Sequence, residues 1–277
     1  MLSFTVEDFI KFKKLIYERA GIHFEDRKIT FVKRRILERM NELNISKAVD
    51  YYRYLRFADK DGKEFQNLIN LLTTNETYFF REFYQLEVFG EVLLSELEER
   101  RKKEGNYKIK IWSAGCSSGE EPYTLAIIVR EIFDNINLWD IEILATDIDE
   151  AVLKKALRGV YDKRAVKDVP PAYLQKYFIK VGENYKIKDE IKNMVTFEKL
   201  NLFDTPKMLR KKGYDFIFCR NVLIYFDDES RKKAVNLFYN SLNHNGYIFL
   251  GHSESISRIT TVFKMRKVRD TIVYFKP

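Results

Sequence analysis

The sequence predicts an α/β protein, with a doubly wound sheet of mostly parallel strands that follows an all-helical domain. Three observations favour this fold. Residues 1 to about 70 carry apolar side chains at helical spacing, whereas from residue 106 onward β-prone runs alternate with helical stretches. The chain then closes with two β-prone runs, residues 263–268 and 271–275, joined by a polar Arg269-Asp270 turn. This ending predicts a terminal antiparallel hairpin rather than another crossover.

The length of 277 residues allows one large domain with a small companion. We expect three parts: a helical domain over residues 1–72, a linker and connecting helix over residues 73–105, and a sheet domain over residues 106–277. In the sheet domain, the β-prone runs 177–181 and 184–188 flank Gly182-Glu183, which predicts a small hairpin. Residues 159–195 are therefore expected to form an inserted β subdomain.

The second predicted helix of the helical domain presents a row of positive charge. Ile29, Val32 and Ile36 mark its apolar face. Five basic residues are expected to be exposed or to lie beside that face: Lys28, Lys33, Arg34, Arg35 and Arg39. Such a row is either a solvated face or a surface for an acidic partner, and the sequence leaves both interpretations open.

The most informative stretch, residues 108–129, has the pattern strand, tight Gly/Ser loop, helix. A loop from Gly115 to Gly119 at a helix start leaves backbone N–H groups free, and glycine allows a ligand to approach closely. Glu120 and Glu121 at the mouth of the helix would repel a pyrophosphate, and the G-x-G-x-x-G fingerprint is absent. The loop is therefore expected to cradle a ligand that carries a cation or hydroxyls.

The second predicted strand, residues 141–147, ends on Asp147. In doubly wound sheets an acid at this position accepts hydrogen bonds from a ribose. A nucleoside without phosphates therefore fits both the loop with its two glutamates and the acid at the end of the second strand. S-adenosylmethionine, with its cationic sulfonium, fits them.

Further strands are predicted over residues 196–202, 214–221 and 247–251, with a helix over residues 228–242. Five parallel strands with crossovers and a terminal antiparallel hairpin differ from the all-parallel dinucleotide-binding fold. The pattern is typical of the Rossmann-like sheet of class I methyltransferases.

Composition limits the remaining possibilities. A net charge of +8 and a pI of about 9.1 indicate an acidic partner, which could be nucleic acid, an anionic membrane or an acidic protein. Two cysteines are too few for a disulfide framework, and three histidines lack ligand spacing, so we expect no metal site. Neither a signal peptide nor an apolar run of membrane-spanning length is visible, which predicts a cytoplasmic protein without membrane insertion.

Five motifs, ordered along nearly the whole chain, resemble those of the CheR family of chemotaxis methyltransferases. They are TTNETYFFRE (73–82), WSAGCSSGEEPY (112–123), ATDID (145–149), FCRNVLIYFD (218–227) and GHSE (251–254). The resemblance implies methyl transfer from S-adenosylmethionine to glutamate side chains of chemoreceptors, the methyl-accepting chemotaxis proteins. The products would be S-adenosylhomocysteine and glutamate methyl esters for sensory adaptation. The implied partner is the cytoplasmic helical domain of the receptors, with no nucleic acid, and we expect a monomer.

The resemblance also implies roles for single residues. The cofactor-binding residues would be Asn75, Thr77, Arg81, Gly115, Glu121, Asp147, Asn201, Leu202, Arg220 and Asn221. Within this set Asp147 would bind the ribose, and Asn201-Leu202 would meet the adenine. Arg81 and Tyr225 would serve catalysis, with Arg81 holding either the methionine carboxylate or the substrate glutamate. The basic row from Lys28 to Arg39 would bind an acidic receptor helix.

Other interpretations stay open. Asp147 could be a helix cap, Arg220 an interdomain ion pair and Tyr225 a core aromatic. A nucleic-acid methyltransferase is disfavoured because residues 221–225 lack the Asn/Asp-Pro-Pro-aromatic motif of amino methyltransferases, whereas a catalytically silent cofactor-binding scaffold is not excluded. The turn of the inserted hairpin is short, so we do not expect binding of a receptor tail peptide.

Overall fold

The computed structural model describes residues 4–73 and 75–277. It contains a helical domain, a seven-stranded sheet with helices on both faces, and a small three-stranded sheet. The predicted α/β fold with an N-terminal helical domain, a terminal hairpin and an inserted β subdomain is confirmed.

Helices pack around one apolar core in the N-terminal domain. They are α1 (Val6–Ala20), α2 (Ile29–Glu42), α3 (Ala48–Arg53) and α4 (Lys63–Leu72), with a 3-10 turn at Asp26–Lys28 and a π-helical turn at Tyr54–Ala58. α1 begins at a capping box: the Asp8 N–H donates to Thr5 Oγ1 (3.1 Å) and the Thr5 N–H donates to Asp8 Oδ2 (2.9 Å). It ends at Gly21, whose φ of 72° favours glycine.

The basic row predicted on α2 is only partly exposed. Lys28, which lies in the 3-10 turn before α2, is exposed together with Lys33 and Arg34. Arg35 is half-buried and forms an ion pair with Glu38 (3.1 Å). Three of the five predicted residues, Lys28, Lys33 and Arg34, are therefore exposed and accessible to a partner.

Arg39 corrects the sequence-based expectation, because it is buried, with 9% of its surface exposed. Its Nε and Nη2 donate to the two carboxylate oxygens of Glu64 on α4 (2.9 and 2.7 Å). The Tyr51 hydroxyl also donates to Glu64 (2.7 Å). α4 packs over this side of α2 and supplies a buried partner, so Arg39 joins the two helices and does not extend the charged surface.

Residues 73 and 75–82, here called the linking segment, lie between α4 and a long connecting helix. This helix consists of α5 (Phe83–Glu87), a π-helical stretch at Val88–Leu94 and α6 (Ser95–Glu104), and it ends at Gly105 with a φ of 65°. At its centre Phe89 packs edge-on against Phe216 and Phe218 of the sheet, with 5.0 Å between ring centroids in each pair. The connecting helix is thus anchored on one face of the sheet.

Ten strands follow in the sheet domain. They are β1 (Lys108–Ala114), β2 (Asp140–Asp147), β3 (Val160–Tyr161), β4 (Phe178–Val181), β5 (Asn184–Ile187), β6 (Val195–Lys199), β7 (Tyr214–Cys219), β8 (Leu242–Leu250), β9 (Lys264–Val268) and β10 (Thr271–Phe275). The large sheet has the order β6-β2-β1-β7-β8-β10-β9, parallel from β6 to β8 and antiparallel from β8 through β10 to β9. The five parallel strands and the terminal hairpin were therefore predicted correctly.

Helices cover both faces of this sheet. They are α7 (Glu120–Ile132), α8 (Glu150–Arg158), α9 (Pro171–Tyr177), α10 (Asp189–Lys192), α11 (Thr205–Met208) and α12 (Asp228–Ser241), with 3-10 turns at Ile136–Leu138 and Leu223–Tyr225. On the face of α12, Trp112 packs against Tyr214 and Phe238, each 5.3 Å away between ring centroids. On the other face Phe218 and Phe249 stack at 4.5 Å. Two aromatic layers thus hold β1, β7 and β8 rigidly in register.

The small sheet has the antiparallel order β3-β5-β4, and its β4–β5 hairpin turns over Gly182-Glu183. The hairpin was predicted, whereas β3 was not, because a two-residue strand is too short to show alternation. Phe178 on β4 packs edge-on against Phe79 of the linking segment (5.0 Å between ring centroids). The subdomain therefore supports the segment that leaves the helical domain.

The buried Arg39–Glu64 pair predicts a large stability effect. Arg39→Met should destabilise the protein by about 3–5 kcal/mol, because Glu64 would remain buried without its cation. Urea unfolding of Arg39→Met and of the exposed control Arg34→Met measures the difference. The control should change the free energy of unfolding by less than about 0.5 kcal/mol. Adding Glu64→Leu to Arg39→Met should recover most of the lost stability. Equal destabilisation by Arg39→Met and Arg34→Met would contradict the assignment of Arg39 to a buried ion pair.

Candidate functional site

A cavity of about 930 Å³, including its open mouth, lies at the carboxyl edge of the parallel strands. Its walls come from the ends of β1, β2 and β7, from the chain after β6, from the linking segment, and from Ala20 and Ile22 of the helical domain. All ten residues predicted to bind the cofactor line it: Asn75, Thr77, Arg81, Gly115, Glu121, Asp147, Asn201, Leu202, Arg220 and Asn221. Ala20 and Ile22 were missed, because nothing in their local sequence marks a contact with a strand end far along the chain.

The loop after β1 brings backbone against the cavity. The N–H groups of Gly115 and Cys116 both donate to the Thr146 carbonyl on β2 (2.7 and 2.9 Å), which fixes the start of the loop. Gly115 has a φ of 87°, and a Cβ built on it would lie 2.3 Å from Val222 Cγ2. The loop and the chain after β7 therefore approach so closely that only glycine fits.

Asp147 lies at the end of β2 with 8% of its surface exposed. Its Oδ2 accepts from the Ser117 N–H (2.8 Å) and its Oδ1 accepts from the Asp149 N–H (2.9 Å). Burial raises the pKa of this carboxyl to about 6, while the backbone donors oppose that rise. The cap of α8 is instead Asp149, whose Oδ1 accepts from the N–H groups of Ala151 and Val152.

Arg220, directly after β7, is 8% exposed and is held on several sides. Its Nε donates to Glu121 Oε2 (2.7 Å), and its Nη1 donates to the Arg81 carbonyl (2.8 Å). Glu121 Oε1 in turn accepts from the Ser113 hydroxyl (2.7 Å). Arg220 and Glu121 both belong to the sheet domain, so this ion pair does not join two domains.

The linking segment crosses the cavity in an uncommon backbone conformation. Phe80 and Glu82 have φ values of 58° and 56°, in the left-handed region. The Phe80 N–H donates to Thr124 Oγ1 (3.2 Å), and Arg81 Nη1 donates to the Glu76 carbonyl (2.9 Å). Strained positions of this kind occur at functional sites when the surrounding structure over-determines them.

Asn201 and Leu202 follow β6 and close another wall. The Asn201 side chain donates to the Arg19 carbonyl (2.9 Å) and accepts from the Phe203 N–H (2.9 Å), so its amide joins the sheet domain to α1. Leu202, which is buried, supplies apolar surface. A flat aromatic ligand could meet Leu202 here, whereas the Asn201 amide already has protein partners.

The chain after β7 is fixed by a buried carboxylate that the sequence did not single out. Glu254 Oε2 accepts from the N–H groups of Asn221 and Gly251 (2.7 and 2.8 Å). Asn221 itself has a left-handed φ of 59°. Glu254 belongs to the GHSE motif, to which the sequence assigns no role. Its contacts show that it joins the chain after β7, which lines the cavity, to the chain after β8.

Tyr225 also lines the cavity, in the 3-10 turn after β7. Its backbone carbonyl accepts from the His23 N–H (2.8 Å), and its ring packs against the cores of both the sheet domain and the helical domain. Tyr225 is therefore at once part of the domain contact and part of the cavity wall. The five basic residues predicted to bind substrate do not line the cavity.

The arrangement suits a nucleoside with a cationic group. Arg220 is paired with Glu121, and Asp147 adds a further carboxylate, so the walls lack a basic cluster for phosphates. Residues 4–73 and 75–277 contain no group of three or more histidine, cysteine or acidic side chains that could hold a metal ion. Within the same residues, no helix has both the length and the apolar character needed to cross a bilayer.

Two family models match the chain. The CheR methyltransferase all-alpha domain matches residues 7–73, and the CheR methyltransferase SAM binding domain matches residues 75–272. This chain belongs to the CheR methyltransferase family. The family resemblance predicted from the five motifs is confirmed, and so is S-adenosylmethionine as the cofactor of this CheR chain.

Relatives match the CheR chain over nearly its full length. Chemotaxis protein methyltransferase 2 of Vibrio cholerae serotype O1 is 43% identical over 274 residues, which are 99% of this chain and 94% of that protein. The chemotaxis protein methyltransferases of Salmonella typhimurium and Escherichia coli are 35% and 34% identical, over 96% of this chain and 89% and 90% of their own lengths. The roles of the individual site residues stay predictions.

The contact between Gly115 and Val222 predicts the effect of one methyl group. Gly115→Ala should destabilise this CheR protein by about 2–4 kcal/mol, because a left-handed φ strains alanine and the new methyl overlaps Val222. Val222→Ala in the same chain should relieve the overlap but not the strain, and so recover about half of the loss. Thermal unfolding of the two single variants and the double variant measures this coupling. Additive effects would show that the two residues are not in contact.

Proposed function

We propose that this chain is a protein-glutamate O-methyltransferase that esterifies glutamate side chains of chemoreceptors. The observation that carries the proposal is the convergence of all ten predicted cofactor-binding residues on one cavity, in a chain of the CheR methyltransferase family. The relatives named as chemotaxis protein methyltransferases support a chemotaxis substrate. The proposed substrate region is the helical cytoplasmic domain of the receptors, and the proposed location of the enzyme is the cytoplasm.

Each wall of the cavity has a proposed task in binding the cofactor. Asp147 accepts hydrogen bonds from the ribose, and Leu202, with the backbone of Asn201, contacts the adenine. Asn75, Thr77 and Glu121 bind polar groups of the methionine part. Gly115 lets the loop after β1 approach Val222 closely, so that its backbone lines the cavity beside the cofactor. When bound, S-adenosylmethionine supplies an electrophilic methyl group on a sulfonium.

The proposed reaction needs little acid–base catalysis. A glutamate with an ordinary pKa of about 4.3 is already a carboxylate at neutral pH, so no general base is needed. The bound cofactor would supply the methyl carbon for the new O–C bond, and the electrons of its C–S bond would stay on sulfur as a neutral thioether. The protein must therefore align the acceptor oxygen and keep water away, and such alignment contributes up to about 7–11 kcal/mol in well-oriented systems.

Arg81 and Tyr225 are the proposed residues at the reacting end. Arg81 keeps donors beyond its bond to the Glu76 carbonyl, since a guanidinium carries five N–H groups. A bidentate contact would fix a carboxylate, either that of the methionine part or that of the substrate glutamate. Tyr225 adds a wall that narrows the cavity where the two domains meet.

The reaction assay uses labelled S-adenosylmethionine with the purified cytoplasmic fragment of a chemoreceptor. The expected result is label in the fragment as a base-labile methyl ester, with no label when the acceptor glutamates are replaced by glutamine. Label transferred to nucleic acid would support a nucleic-acid methyltransferase instead. Binding of the cofactor without transfer to either substrate would support a silent scaffold.

The Asp147 carboxylate predicts how cofactor binding depends on pH. Asp147→Ala should weaken binding of S-adenosylhomocysteine by about 1.5–3 kcal/mol, because an ionised acceptor to the ribose is lost. The raised pKa of about 6 means that affinity is full above about pH 7 and falls as the pH drops through 6, because the carboxylate takes up a proton. Asp147→Asn should remove this pH dependence. Calorimetry at several pH values measures both effects.

Asp140→Ala is the matched control, because Asp140 is exposed at the opposite end of the same strand. It makes the same change of charge and should leave affinity unchanged. Equal affinity of Asp147→Ala and the unaltered protein would remove Asp147 from the site.

The exposed part of the basic row predicts a kinetic effect. Charge reversal at Lys28, Lys33 and Arg34 to Glu should raise the KM for the receptor fragment and flatten its salt dependence, because these charges would steer an acidic helix. Affinity for S-adenosylhomocysteine should not change. The control reverses Lys103, Lys264 and Lys267, three exposed lysines on other surfaces. If both triple variants behave alike, the row on α2 is only a solvated face.

A further inference from the structure

A single buried carboxylate, Asp149, collects hydrogen bonds from three parts of the chain. Its Oδ1 caps α8, as described above, by accepting from the N–H groups of Ala151 and Val152 (2.7 and 3.2 Å). Its Oδ2 accepts from Asn75 Nδ2 (2.9 Å) and from the Thr73 hydroxyl (3.3 Å) of the linking segment. Asp149 is 1% exposed, so these protein donors replace water around its charge.

The last turns of α4 reach the same place. The Asn70 amide, with its nitrogen toward the carboxylate, donates to Asp149 Oδ1 (3.1 Å). Gln66 Nε2 donates to the Ile148 carbonyl (2.8 Å), one residue earlier. The end of the helical domain, the linking segment and the chain after β2 are thus joined at Ile148-Asp149, directly after the proposed ribose ligand Asp147.

This contact fixes which way the Asn75 amide faces. An ionised carboxylate only accepts hydrogen bonds, so the amide nitrogen of Asn75 must point to Asp149. The amide oxygen is then turned away from Asp149. None of the described residues donates a hydrogen bond to this Asn75 oxygen. Asn75 itself lines the cavity. The Asn75 amide oxygen therefore presents a hydrogen-bond acceptor to the cavity, which suits an N–H or O–H group of the cofactor.

We infer that Asp149 is a positioning residue, which sets the hydrogen-bonding polarity of Asn75 and so determines that the linking segment presents an acceptor to the cofactor. This inference rests on the proposed role of Asn75 in binding S-adenosylmethionine. Asp149 itself does not line the cavity. Its effect on binding is exerted through Asn75, in addition to the cap that it provides for α8.

Asp149→Asn separates these two tasks. Asparagine caps a helix about as well as aspartate, so α8 keeps its N-terminal acceptor. The new amide nitrogen, however, would face the nitrogen of Asn75, and two donors repel. Asn75 must then rotate its amide, which turns a donor toward the cavity.

Adding Asn75→Asp to Asp149→Asn restores the contact with reversed polarity. The amide introduced at position 149 now donates to one oxygen of the carboxylate introduced at position 75. The other oxygen of that carboxylate remains an acceptor for the cofactor. The double variant therefore exchanges donor and acceptor between the two positions and still offers the cavity an acceptor.

The experiment measures the affinity of S-adenosylhomocysteine by calorimetry, together with thermal unfolding and the KM for S-adenosylmethionine. Asp149→Asn should weaken binding and raise the KM by at least tenfold, and kcat at saturating cofactor should change by less than threefold. The double variant D149N/N75D should bind within about threefold of the unaltered protein. Asp149→Ser, whose hydroxyl caps α8 but is too short to reach Asn75, provides a second variant. It should weaken binding less than Asp149→Asn, because the released Asn75 amide can still turn its oxygen toward the cavity.

A charge-matched control excludes a simple electrostatic rescue. D149S/N75D carries the same net charge as D149N/N75D, but its introduced hydroxyl is too short to reach the introduced carboxylate. That carboxylate is then not held in one orientation, so the affinity of D149S/N75D should stay at least threefold below that of D149N/N75D. Unchanged affinity of both single variants at position 149 would overturn the inference. Equal affinity of the two double variants would also overturn it. If the unaltered protein fails to bind S-adenosylhomocysteine or S-adenosylmethionine, the proposed function falls as well, and the two failures are thereby distinguished.

Discussion

The Arg220 guanidinium is the point where the central sheet, α7 and the linking segment are joined. Its side chain is 4% exposed and that of Glu121 is 12% exposed, so both charges have left water and depend on each other. Its bond to the Arg81 carbonyl adds the linking segment to this pair. This part of the cavity wall thus forms only when all three elements are packed, which links the shape of the cavity to the tertiary fold of the sheet domain.

Buried carboxylates hold the loops at this edge of the sheet in place through hydrogen bonds. Asp147 accepts from two backbone N–H groups and Glu254 from three, and Asp149 accepts from backbone and side chains together. Burial raises the pKa of Glu254 as it does that of Asp147, which marks both as groups taken out of water. Because these loops are ordered when the protein folds, less conformational entropy is lost when a ligand binds.

Local patterns in the sequence were sufficient for most of the elements and for Gly115, Glu121 and Asp147 in the cavity wall, whereas the other predicted cavity residues came from the family resemblance. Strand ends were predicted well because Gly115 and Asp147 stand directly after β-prone runs, and parallel strands bring such ends to one edge. Long-range partners could not be predicted. Arg39 meets Glu64 only because α4 packs on α2, and Ala20 reaches the cavity only because the helical domain docks on the sheet. The pairing of Asn75 with Asp149 belongs to the same class.

The two edge strands of the large sheet are charged, and this has a consequence for the behaviour of the protein at high concentration. β9 exposes Lys264 and Lys267 and pairs Arg266 with Glu96 (2.7 Å), while Lys199 on β6 pairs with Glu150 (2.6 Å). Edge strands offer backbone groups to which strands of other molecules can add, and lysines there make such addition costly. Crowding alone should therefore not drive these sheets to join edge to edge, even where many copies gather around one target.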